Sequence, residues 1–70
     1  MDERRLQVFR AVARELNFSR AGLALHLSQS AVSQQIAALE LELGGTLFDR
    51  SRRRVRLTPA GVALLNRVDA

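Results

Sequence analysis

The sequence predicts one mainly α domain with a single short β-hairpin late in the chain. Three observations carry that expectation. Apolar residues recur at helical spacing in two stretches, Leu6-Phe9-Ala13-Leu16 and Val32-Ile36-Leu39-Leu43. Four glycines and one proline punctuate 70 residues, too few for the many turns of a β-sandwich. After Gly44-Gly45 the spacing shortens toward alternation, the signature of strands. A chain of this length holds one core and one domain.

The first helix is expected from Glu3 to Leu16, with Asp2 and Glu3 at the positive end of its dipole and Asn17 as its stop. Ser19 is the expected cap of a short second helix, whose inner face carries Ala21 and Leu25. His26-Leu27-Ser28 then reads as a turn. Ser28 offers its side-chain oxygen to the free N–H groups of a third helix that starts at Gln29 or Ser30. That helix points Val32, Ile36, Leu39 and Leu43 inward, and Gly44 ends it.

Its opposite face collects Ser30, Ser33, Gln34, Ala37 and Leu41. The N-terminal half of that face is small, polar and uncharged, whereas a solvated helix face usually carries Glu, Lys or Arg. Small hydroxyls and amides allow close approach to base edges, and Gln pairs bidentately with adenine.

Leu47-Phe48 and Val55-Arg56-Leu57 flank Ser51 to Arg54 and predict a hairpin with an arginine-rich tip. Thr58 as N-cap and Pro59 at the first helical position announce a fourth helix. Leu64, Leu65 and Val68 form its apolar stripe, and the pattern is unfinished at Ala70. Helix, helix, turn, helix, hairpin, helix is the order of a winged helix-turn-helix.

The charge is as uneven as the pattern. Eleven arginines and no lysine face seven acids, for a net charge of +4. Five of the arginines (Arg50, Arg52, Arg53, Arg54 and Arg56) crowd into residues 50–56, which hold no acid; the other 63 residues balance at −1. Such a cluster is the electrostatic footprint of a polyanion or an acidic surface.

Other classes fall away on inventory. With no cysteine there is no disulfide framework, thiolate zinc site or cysteine nucleophile. The lone His26 lacks partners at ligand spacing, so neither metal nor cofactor is expected, and its plain reading is a turn residue rather than a pH switch. Seven acids without a paired constellation argue against an enzyme. Residues 21–39 run uncharged for 19 positions, but seven of these are His, Ser or Gln, so no membrane span is expected. The first residues mix acids and arginines without an apolar run, which leaves the cytoplasm as the expected compartment.

Phe18-Ser19-Arg20-Ala21, SQSAVSQQI over residues 28–36 and Leu39-Glu40 resemble the N-terminal DNA-binding domain of LysR-type transcriptional regulators. The resemblance continues through Leu43-Gly44, LFDR over residues 47–50 and RVRLTPAG over residues 54–61. It spans almost the whole chain, with independent pieces in order at the right spacing.

The resemblance implies double-stranded DNA as partner, with the recognition helix over residues 29–43 in the major groove and the arginine-rich wing over residues 50–56 at the minor groove and backbone. Gln29, Ser30, Ser33 and Gln34 are then the base-reading candidates. Arg53 matches the wing arginine of the minor groove. Arg50, with a phosphate or structural role, joins Arg52, Arg54, Ser19 and Ser28 as backbone candidates. Residues 1–58 are the winged helix-turn-helix, and residues 59–70 resemble a truncated linker helix. Family members form homodimers through that helix, here through Leu64, Leu65 and Val68, with pairing weakened or lost by the truncation; core packing is the equal alternative for these three. Full-length members continue into a small-molecule-sensing domain that this chain does not contain.

Three positions depart from the family pattern. Gly22 replaces a common alanine, Leu23 a usual charge and Gln34 a frequent arginine. A glycine inside a helix costs about 1 kcal/mol relative to alanine. The competing function class is a winged-helix protein-interaction module, with Leu23, Leu41 and Leu64 as its surface. Salt separates the two, because DNA affinity falls steeply with ionic strength and apolar association does not.

Overall fold

The computed structural model describes residues 2–70 and contains four helices and one hairpin. The elements are α1 (Glu3–Glu15), α2 (Phe18–Leu25), α3 (Gln29–Leu43), β1 (Phe48–Asp49), β2 (Arg56–Leu57) and α4 (Pro59–Val68). The strands pair antiparallel, with Phe48 opposite Leu57 and Asp49 opposite Arg56.

The first three helices enclose one core. Val8, Phe9 and Val12 of α1, Ala21 of α2, and Val32, Ile36 and Leu39 of α3 are buried, and Leu47 and Phe48 close the open end. The rings of Phe9 and Phe48 lie 5.4 Å apart between centroids, so the root of the hairpin is fixed to the three-helix body. Among the described residues, no helix is long and apolar enough to cross a membrane.

Most expected boundaries match the observed ones. Ser28 accepts from the Ala31 N–H at 3.0 Å and starts α3 at Gln29; Gly44 ends it in the left-handed conformation. Thr58 caps α4 by accepting from the Gly61 N–H at 3.0 Å, with Pro59 in the first turn. The Thr58 hydroxyl also donates to the Thr46 carbonyl at 2.6 Å.

Three expectations are corrected. Ser19 does not cap α2: Asn17 does, its side chain accepting from the Arg20 N–H at 2.8 Å, so the residue read as a stop for α1 is the start of α2. The reason lies one residue earlier. Leu16 adopts a left-handed conformation (φ 50°), which ends α1 at Glu15 and turns the chain so that Asn17 reaches the cap position. Leu43 is the second correction. It is in phase with Val32, Ile36 and Leu39 yet 42% exposed, because the last turn of α3 outruns the core.

Leu64 is the third. Placed with Leu23 and Leu41 on an interaction surface, it is instead closed into the core at 7% exposure, in line with the core-packing alternative, with Leu65 and Val68 half-buried beside it. Arg10 of α1 binds the far end of α4, donating to the Val68 carbonyl at 2.7 Å and pairing with Asp69 at 3.2 Å. A cation at a helix C-terminus also complements the dipole there.

Gly22 has a packing reason that outweighs its weak helix propensity. The Leu27 N–H donates to the Gly22 carbonyl at 2.8 Å, and a Cβ on Gly22 would stand 2.5 Å from the Leu27 carbonyl oxygen. Leu23, by contrast, is 77% exposed and touches no core.

Candidate nucleic-acid interface

The hairpin tip is shaped by one carboxylate. Asp49 ends β1 and accepts from both the backbone N–H (2.9 Å) and the hydroxyl (2.6 Å) of Ser51, an Asx-type turn that starts the wing. The Ser51 hydroxyl bond first, then the Ser51 N–H and the charges of Arg52 and Arg56, lower the Asp49 pKa below its ordinary 3.8. The arginines therefore ride on a turn held by an ionised acid.

Arg50 turns back toward the helical body. Its guanidinium carbon stands 3.9 Å from the ring centroid of Phe18, the first residue of α2. The other side of the contact is firm, since Phe18 meets Phe48 edge-on at 5.8 Å.

Between the wing, the α1–α2 turn and the start of α3 opens a cleft of about 620 Å³. It brings together Ser19, Gln29, Arg50, Arg53 and Arg54, five of the residues expected from sequence. Ser30 and Gln34 are exposed further along the same helix, and Ser33 is half-buried between them. Ser28 is at the cap. Arg52 is exposed on the wing outside the cleft, close enough to Asp49 to act on its titration.

Asn17, Phe18 and Arg20 also line the cleft and were not among the residues expected to meet DNA. Arg20 sat in plain view within Phe18-Ser19-Arg20-Ala21 but outside the arginine cluster. Glu15 is the one acid among the lining residues, against four arginines. Such a surface attracts polyanions, with amides and hydroxyls of α3 alongside to make directional hydrogen bonds.

A second, apolar groove of about 240 Å³ lies between the end of α3 and α4, lined by Leu43, Leu47, Ala60, Ala63 and Leu64. Among the described residues, no cluster of three His, Cys, Asp or Glu is placed to hold a metal ion.

Residues 4–62 match the family described as bacterial regulatory helix-turn-helix protein, lysR family. The chain is 58% identical over 67 residues to an uncharacterized HTH-type transcriptional regulator in the ibpB-leuC intergenic region of Azotobacter vinelandii, covering 96% of this chain and 46% of that protein. It is 55% identical over 60 residues to a carbapenem-hydrolyzing beta-lactamase transcriptional activator of Enterobacter cloacae, covering 86% of this chain and 20% of that one. The chain thus spans less than half the length of these relatives.

Among solved structures, a LysR-family transcriptional regulator from Eggerthella lenta superposes with a TM-score of 0.95 at 37% identity, over the whole of both chains. The CbnR DNA-binding domain in its DNA complex superposes at 0.92 with 42% identity, over 99% of this chain and 79% of that one.

Proposed function

This chain belongs to the LysR family of bacterial regulatory helix-turn-helix proteins, and from that membership we propose that it binds double-stranded DNA as the DNA-binding domain of a transcriptional regulator. One observation carries the reading: the uncharged polar start of α3 and the arginine-rich wing share a single cleft, with Gln29 beside Arg50, Arg53 and Arg54. The likeness to a domain described in complex with DNA supports it.

In this mechanism α3 enters the major groove by its N-terminal half. Gln29, Ser30, Ser33 and Gln34 read base edges. Arg50, Arg52, Arg54, Ser19 and Ser28 bind backbone and set register, and Arg53 reaches the minor groove. Residues 1–58 do this work, while residues 59–70 begin a linker helix that pairs two copies, with the half-exposed sides of Leu65 and Val68 at the contact. The domain is a cytoplasmic binding module and not an enzyme, and it needs no cofactor.

The deciding experiment is a binding selection of the 70-residue chain on sheared genomic DNA near physiological salt. Recovered fragments sharing an inverted repeat establish sequence-specific binding and pairing of two copies. If nothing is enriched even when two copies are fused, the DNA reading fails. The protein-interaction reading then gains from Leu23 and Leu41, which expose 77% and 86% of their surface.

A further inference from the structure

Phe18 does more than fill the core. One part of its ring packs on Phe48, and the Arg50 guanidinium stands over the ring at 3.9 Å. A guanidinium over an aromatic ring is attracted through the ring face, which leaves its N–H donors, arrayed around the edge of the plane, free to bind an anion. Arg50 is otherwise a long side chain at the solvent edge of the wing, with many rotamers to lose on binding. On its ring it is confined beside Ser19, Arg20 and Arg53 at the cleft.

We propose that Phe18 is a positioning residue for DNA binding: its ring seats Arg50 so that the guanidinium meets a backbone phosphate already oriented. The inference rests on the DNA reading above and adds to it a residue that does not itself touch the nucleic acid. It also gives the wing a fixed relation to α2, because one ring joins the first residue of that helix to the residue that follows β1.

The test is a salt titration of affinity for a random-sequence duplex, comparing wild type, Arg50→Ala, Phe18→Leu and the double variant, each first shown to fold by circular dichroism. Losing one phosphate contact lowers the slope of log K against log salt by about 0.9, so the advantage of wild type shrinks about threefold between about 50 and about 200 mM salt. Arg50→Ala and Phe18→Leu are each expected to show that loss, and the double variant no more than either. A folded Phe18→Leu chain with the wild-type slope overturns the proposal, since a merely structural ring would leave the count of phosphate contacts untouched.

If Phe18→Leu does not fold, Phe18→Met decides. Methionine fills irregular core space flexibly but has no ring face to hold a cation. A slope equal to that of Arg50→Ala supports the seat, and a wild-type slope overturns it. A wild-type chain with no salt-dependent affinity overturns the DNA reading itself and this inference with it.

Discussion

The Glu40 carboxylate accepts a hydrogen bond from the backbone N–H of Leu47 at 2.7 Å, tying the last turns of α3 to the root of the wing. Leu47 is almost fully buried, so its N–H has no water to turn to. Glu40→Ala is expected to cost about 1–3 kcal/mol, the penalty of a stranded buried donor. In a domain of this size each kcal/mol lowers Tm by about 4–8 °C. Glu40→Gln keeps an acceptor and is expected to recover most of the loss. A Glu40→Ala chain melting with wild type would show that the contact is not made in solution.

Leu47 also meets the start of α4. Its carbonyl accepts from the Thr58 N–H at 3.0 Å, and a Cβ on Gly61 would run into that carbonyl oxygen and the Leu57 side chain. Alanine is the better helix former by about 1 kcal/mol, which pulls the other way. The obstacle is backbone and cannot swing aside, so Gly61→Ala is expected to lower Tm despite its propensity. An unchanged or higher Tm would mean that α4 shifts outward freely.

Leu16 offers the opposite experiment. Its left-handed conformation costs an L-residue roughly 1–2 kcal/mol, and glycine pays none of it. Glycine gives back about 0.4–1 kcal/mol through the freedom of its unfolded chain. Leu16 is 43% exposed and lies outside the core cluster, so truncation forfeits less burial than at a core leucine. Leu16→Gly is therefore expected to raise Tm by a few degrees in thermal melts. A fall would show that the apolar side chain at the mouth of the cleft contributes more than the strain removes.

That residue also explains where sequence reasoning stopped. Ser28, Thr58-Pro59 and the Val32-Ile36-Leu39 stripe are local signals, each complete within one helical turn or two, and the structure keeps all three. Between α1 and α2 two good capping residues, Asn17 and Ser19, compete. The usual arbiter, a glycine ending the first helix, is replaced by a strained leucine that carries no such signal. The seat of Arg50 on Phe18 joins residues far apart in the chain and has no periodicity to betray it. The candidate DNA surface was thus readable in its parts, Gln29 and the arginines, but not in the contact that holds the wing against α2.

The wing starts at a titratable turn. Asp49 has a folded pKa below 3.8, so protons bind it more weakly in the folded chain than in the unfolded one. Its contribution is therefore complete above the ordinary aspartate range and is lost as pH falls through the lowered folded value. The Ser51 amide resonance, followed by NMR from neutral pH downward, is expected to titrate with a midpoint below 3.8. Asp49→Asn is expected to abolish the transition while leaving the helices intact. A midpoint at or above 3.8 would mean that the Asp49–Ser51 turn does not form.

Gln29 and Arg53 line the same cleft, yet the proposed mechanism gives them separable tasks. Gln29 stands at the first position of α3, exposed and next to the Ser28 cap, where a major-groove helix presents its base-reading side chains. Gln29→Ala is expected to cost about 1–3 kcal/mol at one base position and almost nothing on random DNA. Arg53, on the wing tip, is expected to act through charge and groove width. Arg53→Ala should weaken binding on every sequence and most on A/T-rich flanks, where a narrow minor groove concentrates negative potential. Competition binding against single-base operator variants and against A/T- and G/C-flanked duplexes measures both effects. Equal losses on the two flanks would remove Arg53 from the minor groove, and an unaltered base preference in Gln29→Ala would leave the reading of sequence to Ser30, Ser33 and Gln34.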